Sequence, residues 1–308
     1  MLHFIVNPLS RSGKGHESWN KIQVFLEKKK IDYKVQLTKF HGHATEIAKS
    51  ISHSADSTNM QTIVVLGGDG TLNEVINGLS KLTYITLGYI PAGSGNDFSR
   101  SMKLPKNTME SLEIILHPKA YTYIDYGIIQ SETSTRKFIV SAGIGYDASI
   151  THETFKSNLK KILNKVKLGK LIYLLIGVKQ LILSDNAPAS LIIDSNTQLD
   201  MKRMLFASIH VQKYEGGGFP FAPDADPSDG NLEVCVFHDS SKWKYAFLLI
   251  SSMFGKHVNF KGADVYSCKS VSINSDIESA VHTDGEDFDF LKNISARSSS
   301  DKIRFITG

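Results

Sequence analysis

Residues 62–66, TIVVL, run directly into Gly67-Gly68-Asp69-Gly70-Thr71, and a helical pattern over 72–79 follows at once. A compact, β-branched run closed by glycines is the pattern of a parallel strand buried on both faces. Such a strand needs helices above and below it, so it also constrains its neighbours. Residues 2–6 form another apolar run, ending at Asn7-Pro8, with a helical pattern over 18–29. Residues 33–37 read as a second strand, 44–51 as a second helix, and 85–90 as a further strand closed by Pro91. Strands alternating with helices imply βαβ units and a parallel sheet. Residues 1–122 are therefore expected to form an α/β domain.

From about Tyr121 the pattern changes. Short strand-like runs recur at 123–129, 137–142, 189–193, 204–211, 232–237, 270–273 and 303–307, separated by turn residues. This argues for a largely antiparallel β domain over 123–308. A lysine-rich helical pattern over 158–183 interrupts it, and whether the last run rejoins the first sheet is left open. With 41% hydrophobic and 21% charged residues, the 308-residue chain can bury a sizeable core, which excludes a disordered or fibrous protein. A net charge of +4 without an evident basic face does not point to nucleic acid. The two cysteines, Cys235 and Cys268, make no disulfide framework and suit a reducing cytosol. Residues 1–6 lack a signal-peptide pattern, and the longest apolar runs, 171–178 and 246–250, are far short of a membrane span. The expectation is a soluble, cytoplasmic protein that can still touch the inner face of a membrane.

The glycine loop carries chemistry of its own. Three glycines let the backbone approach a ligand closely, and the helix that follows points free N–H groups and its positive dipole end at the same spot. Asp69 is out of place in an anion cradle unless a cation is shared, and its simplest role is to hold Mg²⁺ beside phosphates. Asn73 and Glu74 are expected to face the same crevice. Taken alone, the loop reads as a plain turn with Asp69 capping the helix. Two more loops, residues 7–15 (NPLSRSGKG) and 91–98 (PAGSGNDF), also follow strands, and 7–15 leads into a helical pattern. In open α/β sheets that edge is where ligands bind, so the convergence favours a nucleotide site. Neither G-x-x-x-x-G-K-[ST] nor a G-x-G-x-x-G after the first strand is present.

Asn7-Pro8, residues 67–75 (GGDGTLNEV), 91–98, 143–148 (GIGYDA), 229–232 (DGNL) and Asp284-Gly285-Glu286 occur in this order over nearly the whole chain. The ordered set resembles the diacylglycerol kinase catalytic-domain family, especially its soluble bacterial lipid kinases, with sphingosine kinases more distant. The Gly-Gly-Asp-Gly-Thr element is also similar to one in NAD kinases and phosphofructokinases; the later motifs narrow the choice. The resemblance implies a nucleotide-binding α/β domain and a β-sandwich, with the active site in the cleft between them. It implies ATP and Mg²⁺ as cofactors, and transfer of the γ-phosphate to the hydroxyl of a lipid such as diacylglycerol. ATP contacts would come from Asn7, Pro8, Leu9, Ser10, Arg11, Thr38, Gly67, Gly68, Asp69, Gly70, Thr71, Leu72, Asn73, Glu74, Ser94 and Asn96. Asp69, Asp97 and Asp229 would organise Mg²⁺, and the loop of Asp226, Asp229 and Asn231 would hold a structural Mg²⁺. The chain departs from the family pattern at Ser10-Arg11-Ser12-Gly13, longer than the usual Ser-Gly, and at Ser94, where threonine is common.

Residues 282–287, HTDGED, pack three carboxylates around a glycine, which alone would read as an acidic surface turn. Phosphoryl transfer to an alcohol needs a carboxylate near the attacking hydroxyl, and the resemblance assigns Glu286 as proton acceptor with Asp284 supporting or sharing the role. The two share a face if the segment is extended and diverge if it turns at Gly285. Lys156, Lys160, Lys161, Lys165, Lys167, Lys170 and Lys179 lie in a segment almost free of acids. A membrane-docking amphipathic helix and a core-packed helix with a solvated lysine face fit it equally. A kinase of a soluble metabolite, of the NAD-kinase kind, and a catalytically silent nucleotide- or lipid-binding regulator are the alternatives. The acceptor lipid carries no readable motif, and oligomeric state is open, with a homodimer among the readings.

Overall fold

The computed structural model describes residues 1–156, 177, 179–184 and 186–308. Most of the expected lysine-rich helix over 158–183 lies outside these residues.

The first sheet contains β1 (Leu2–Val6), β2 (Lys34–Leu37), β3 (Gln61–Gly67), β4 (Ile85–Pro91), β5 (Tyr121–Ile124) and the last strand of the chain, β15 (Ile303–Ile306), in the order β2-β1-β3-β4-β15-β5. All neighbours are parallel except β5, which runs antiparallel to β15. Helices α1 (Ser10–Lys29), α2 (His43–His53), α3 (Asp69–Gly78), α4 (Asp97–Ser101) and α5 (Thr108–Leu116) belong to this half. The apolar character of β3 has a direct cause. Ile63 and Val65 pack into one core with Ile47, Ile51 and Ile76, while Val64 and Leu66 pack into another with Trp19, Ile22 and Leu112. A strand whose alternate residues enter two cores loses the polar–apolar alternation of a half-exposed one.

The return of β15 answers the point that the sequence left open. Phe305 and Ile306 enter the two cores on opposite faces of the sheet, so the chain end fills the slot between β4 and β5.

The second half forms a nine-stranded sheet from β6 (Gly127–Gln130), β7 (Thr135–Phe138), β8 (Ser141–Gly145), β9 (Ala187–Ile193), β10 (Thr197–His210), β11 (Leu232–His238), β12 (Ala263–Cys268), β13 (Ser270–Thr283) and β14 (Glu286–Ser298). Strands β10 and β13 have 14 residues each, and each pairs with β9 over one part and β8 over another. Register shifts near Met204 and between Asn274 and Ser279 bend them. The sheet thus folds over a core containing Ile144, Leu191, Val234, Ile273 and Val281. The architecture is the expected one, a parallel-sheet α/β domain and a β-rich domain.

Several boundaries differ from the sequence reading. The regular part of α1 starts after Gly13 rather than at Ser18, because Arg11, Ser12 and Gly13 take φ of +46°, +58° and +97° and shape a loop. The expected strand 123–129 is divided between the two sheets, with Asp125 and Tyr126 at the crossing. The expected strand 137–142 breaks at Ile139 and Val140, whose N–H groups go to the Asp284 carboxylate. Among the described residues, elements the sequence reading did not name include α4, α5, β12, β14 and a helix α7 (Lys242–Ser252). In β14 most side chains are at least partly exposed, so its polar sequence hides a strand made by pairing with β13. Helix α6 (Tyr146–Lys156) follows β8 directly.

Candidate active site

The loops after β1, β3 and β4 meet at the carboxyl edge of the first sheet. Asn7 joins two of them: its N–H donates to Leu66 O at 2.8 Å and its Nδ2 to Thr71 Oγ1 at 3.0 Å. Its Oδ1 accepts from Leu9 N, and its carbonyl accepts from Ser10 Oγ, so the side chain also shapes its own loop. The third loop is held by Ala92 N donating to Gly67 O at 2.7 Å. Gly68 and Gly93 touch through their backbones, and a Cβ on Gly93 would stand 2.6 Å from Gly68 Cα. The glycines are thus required by loop-to-loop approach as well as by any ligand.

Asp69, the first residue of α3, reaches across to the third loop. Its Oδ2 accepts from Asp97 N at 2.9 Å and its Oδ1 from Phe98 N at 3.3 Å. Asp97 in turn accepts from Gly217 N at 2.8 Å and pairs with Arg100. The Oδ2 atoms of both aspartates flank Gly95. Burial, and next the neighbouring Asp97 charge, push the Asp69 carboxyl up to about 7. Burial raises Asp97 as well. Two carboxylates held side by side against their mutual repulsion are the donor set a small divalent cation neutralises, so these residues fit Mg²⁺.

The turn between β13 and β14 brings in the second half. Asp284 and Gly285 have φ of +49° and +75°, with Thr283 paired to Glu286 across them. That is a two-residue hairpin turn with positive φ at both positions, the geometry Asp-Gly favours. The two acids therefore diverge. Asp284 is buried, and its carboxylate accepts from Asn73 Nδ2 at 2.7 Å and from the N–H groups of Ile139 (2.9 Å), Val140 (2.7 Å) and Ser141 (2.9 Å). Glu286 extends the other way, and a Cβ on Gly70 would collide with its Oε1. A carboxylate of the second sheet thus lies against the glycine loop of the first.

Other expected site residues have different surroundings. Asn73 and Glu74, expected to face the crevice, are both engaged by other protein groups. Asn73 is buried and donates to Lys137 O and Asp284, while Glu74 accepts from Ala44 N at the start of α2 and pairs with His41. The Leu72 side chain is in the core. Pro8, Leu9, Arg11 and Ser94 lie on loop surfaces, and Thr38 is fixed by its N–H to Val6 O. Asn96, in the left-handed region, clasps Gly93 through both amide atoms and so shapes the third loop.

Asp226 and Asp229 are not joined to Asp69 and Asp97 by any contact among the described residues. The Asp229 carboxylate accepts from Asn231 N and Nδ2, and Asp226 accepts from Ser228. Lys302 Nζ and Lys269 Nζ donate to the carbonyls of Ser228 and Gly230 in this loop, and Lys302 also pairs with buried Asp125. Two of the loop's backbone oxygens are thus taken up by ammonium groups, while the Asp226 and Asp229 carboxylates accept from groups within the loop itself.

The sequence reading missed a buried cluster behind Asp97. His282 Nε2 lies 3.1 Å from both Asp147 Oδ2 and Glu215 Oε1. Burial alone would lower its pKa, but Glu215 and Asp147 outweigh burial and push it up to about 10. Glu215 leads into Gly216, Gly217 and Gly218, all with positive φ, and this loop delivers the N–H that Asp97 accepts. The one available signal was the Glu-Gly-Gly-Gly run itself, since three successive glycines in a β domain mark a backbone path closed to other residues.

Comparison with known proteins agrees with this arrangement. Residues 1–127 match the diacylglycerol kinase catalytic domain, and residues 139–294 match the YegS C-terminal NAD kinase β-sandwich-like domain. The chain is 27% identical over 286 residues to a candidate lipid kinase of Bacillus subtilis (strain 168), covering 92% of each protein. It is 27% identical over 284 residues to a diacylglycerol kinase of Staphylococcus saprophyticus, covering 92% of this chain and 87% of that one. A solved structure from Bacillus anthracis str. Sterne, described as a candidate diacylglycerol kinase, superposes with a TM-score of 0.76 at 26% identity, over 99% of this chain and 96% of that one. From the convergent loops, the domain order and these matches, the chain belongs to the kinase family that joins a diacylglycerol kinase catalytic domain to a YegS-type C-terminal β-sandwich.

Proposed function

We propose that the protein transfers the γ-phosphate of ATP to the hydroxyl of a lipid, with diacylglycerol as the representative acceptor. The observation that carries this reading is Glu286 lying against Gly70, an acid from one domain at the phosphate cradle of the other. The first turn of α3, with Gly68 as its N-cap, offers free backbone N–H groups and a positive dipole end to the triphosphate. Asp69 and Asp97 hold Mg²⁺, which supplies neutralisation of the phosphate oxygens. Glu286 accepts the proton of the acceptor hydroxyl as its oxygen bonds to the γ-phosphorus and the bond to the β-phosphate bridging oxygen breaks, releasing ADP. Asp284 acts as a positioning residue: it fixes the turn that aims Glu286. The description of the second domain as NAD kinase-like favours a second reading, in which the acceptor is a soluble metabolite.

ADP release, measured with ATP, Mg²⁺ and either dispersed diacylglycerol, a mixed lipid extract or NAD, separates the two. Lipid-dependent release is expected, falling by about 10²-fold or more in Glu286→Gln. Release with NAD alone would overturn the lipid assignment, and a Glu286→Gln variant with normal rates would overturn the role of Glu286.

A further inference from the structure

Helix α7 and the turn after it carry an apolar surface that the kinase chemistry does not use. Among the described residues, seven of the twenty exposed large hydrophobic side chains fall within 243–260. Trp243 (89% exposed), Phe247, Ile250 and Phe254 are spaced by four, three and four residues. That spacing lines Trp243, Phe247 and Ile250 on one side of α7, and Phe254 lies in the turn just after it. The opposite side, with Tyr245 and Leu248, is buried against Phe206 and Phe237. Phe247 and Phe260 meet edge to face with ring centroids 4.9 Å apart, so the surface extends beyond the helix into the following segment. Its charge is one-sided. Between Asp239 and Asp264 there are four lysines, Lys242, Lys244, Lys256 and Lys261, and no acid.

We infer that this face docks on an anionic lipid bilayer. A helix lying in a membrane interface presents large apolar and aromatic side chains to the acyl boundary and lysines to the headgroups, and both are present here. A second copy of the chain fits the charge poorly, since a twofold contact through this patch would set the same lysines against each other. The surface is also joined to the active-site side of the domain. Gly255 lies against Pro220 and Pro223, and buried His257 bonds to Phe221 O. That segment continues from the Glu215–Gly218 loop, whose Gly217 N–H is bound to Asp97. Docking here keeps the domain that carries Glu286 at the bilayer.

The inference does not depend on the acceptor lipid, so it is tested by binding rather than turnover. The chain has two tryptophans, and Trp19 is buried at 4% exposure, so a change in emission on binding reports Trp243. The full chain is mixed with vesicles of phosphatidylcholine alone, or of phosphatidylcholine with phosphatidylglycerol, and followed by co-sedimentation and fluorescence. Binding with a blue shift is expected only with phosphatidylglycerol. Lys244→Gln/Lys256→Gln/Lys261→Gln should weaken it by about tenfold or more. Trp243→Ser/Phe254→Ser changes two exposed positions and should abolish co-sedimentation with the circular dichroism spectrum unchanged. Binding that survives both variants, or the absence of binding to the anionic vesicles, would overturn the inference. So would a wild-type dimer in analytical ultracentrifugation that Trp243→Ser/Phe254→Ser converts to monomer, since the surface would then belong to a second copy.

Discussion

Replacing Asp284 by alanine should destabilise the protein, and the structure gives the scale of the loss. The carboxylate collects four donors, Asn73 Nδ2 and three successive backbone N–H groups, at 2.7 to 2.9 Å. Removing it leaves buried donors from β8, the segment before it and α3 without an acceptor. An orphaned buried donor costs about 1–3 kcal/mol, and the four share one site, so their costs do not simply add. A total of about 4 kcal/mol is expected, which for a protein of this size lowers the melting temperature by roughly 10 °C. Asp284→Asn keeps one accepting oxygen but turns an NH₂ group towards other donors, so it should lie between wild type and alanine. Thermal melting by circular dichroism, run beside ADP release, is the assay. Glu286→Gln provides the contrast, because it should lose turnover at an unchanged melting temperature. An Asp284→Ala protein that melts within about 2 °C of wild type yet is inactive would refute the reasoning; its carboxylate would then belong to the chemistry rather than to the seam.

Three further outcomes are expected. Gly93→Ala drives a methyl to 2.6 Å from Gly68 Cα and should separate the two glycine loops, lowering turnover by about 10²-fold while melting remains cooperative. Because the cation competes with the proton that burial keeps on Asp69 up to about 7, Mg²⁺ should raise the melting temperature more at pH 8 than at pH 6, and Asp69→Asn should remove that difference. The His282 pKa is raised from 6.5 to about 10, so its contribution to stability is fully present below pH 6.5 and lost as pH rises through 10. The gap in melting temperature between wild type and His282→Gln should therefore narrow from pH 7 to pH 10; a constant gap would show that His282 is not held as an imidazolium.

The first half of the fold was legible because its signals are local. A β-branched run closed by glycines makes a buried strand wherever helices cover it, and β1, β3 and β4 all lie where their patterns put them. The second half was less so. Strand β14 has a polar sequence and exists through its pairing with β13, and the break at Ile139 and Val140 exists because a carboxylate nearly 150 residues away takes their N–H groups. At the site, the residue types were readable and the partnerships were not. Asp69 lay in an evident loop, but its place beside Asp97 depends on the approach of Gly68 to Gly93. The His282, Asp147 and Glu215 cluster joins three distant stretches, and no spacing rule connects them.

The Asp284-Gly285-Glu286 turn marks the division most clearly. By itself the sequence determined the strand-forming periods, the glycine positions and the presence of two acids flanking a glycine. Which acid anchors and which reaches the glycine loop was decided by tertiary structure. The two-residue turn sends the two acids in different directions, and the fold brings the N–H groups of residues 139–141 and Asn73 of α3 to one of them and sets the other over Gly70.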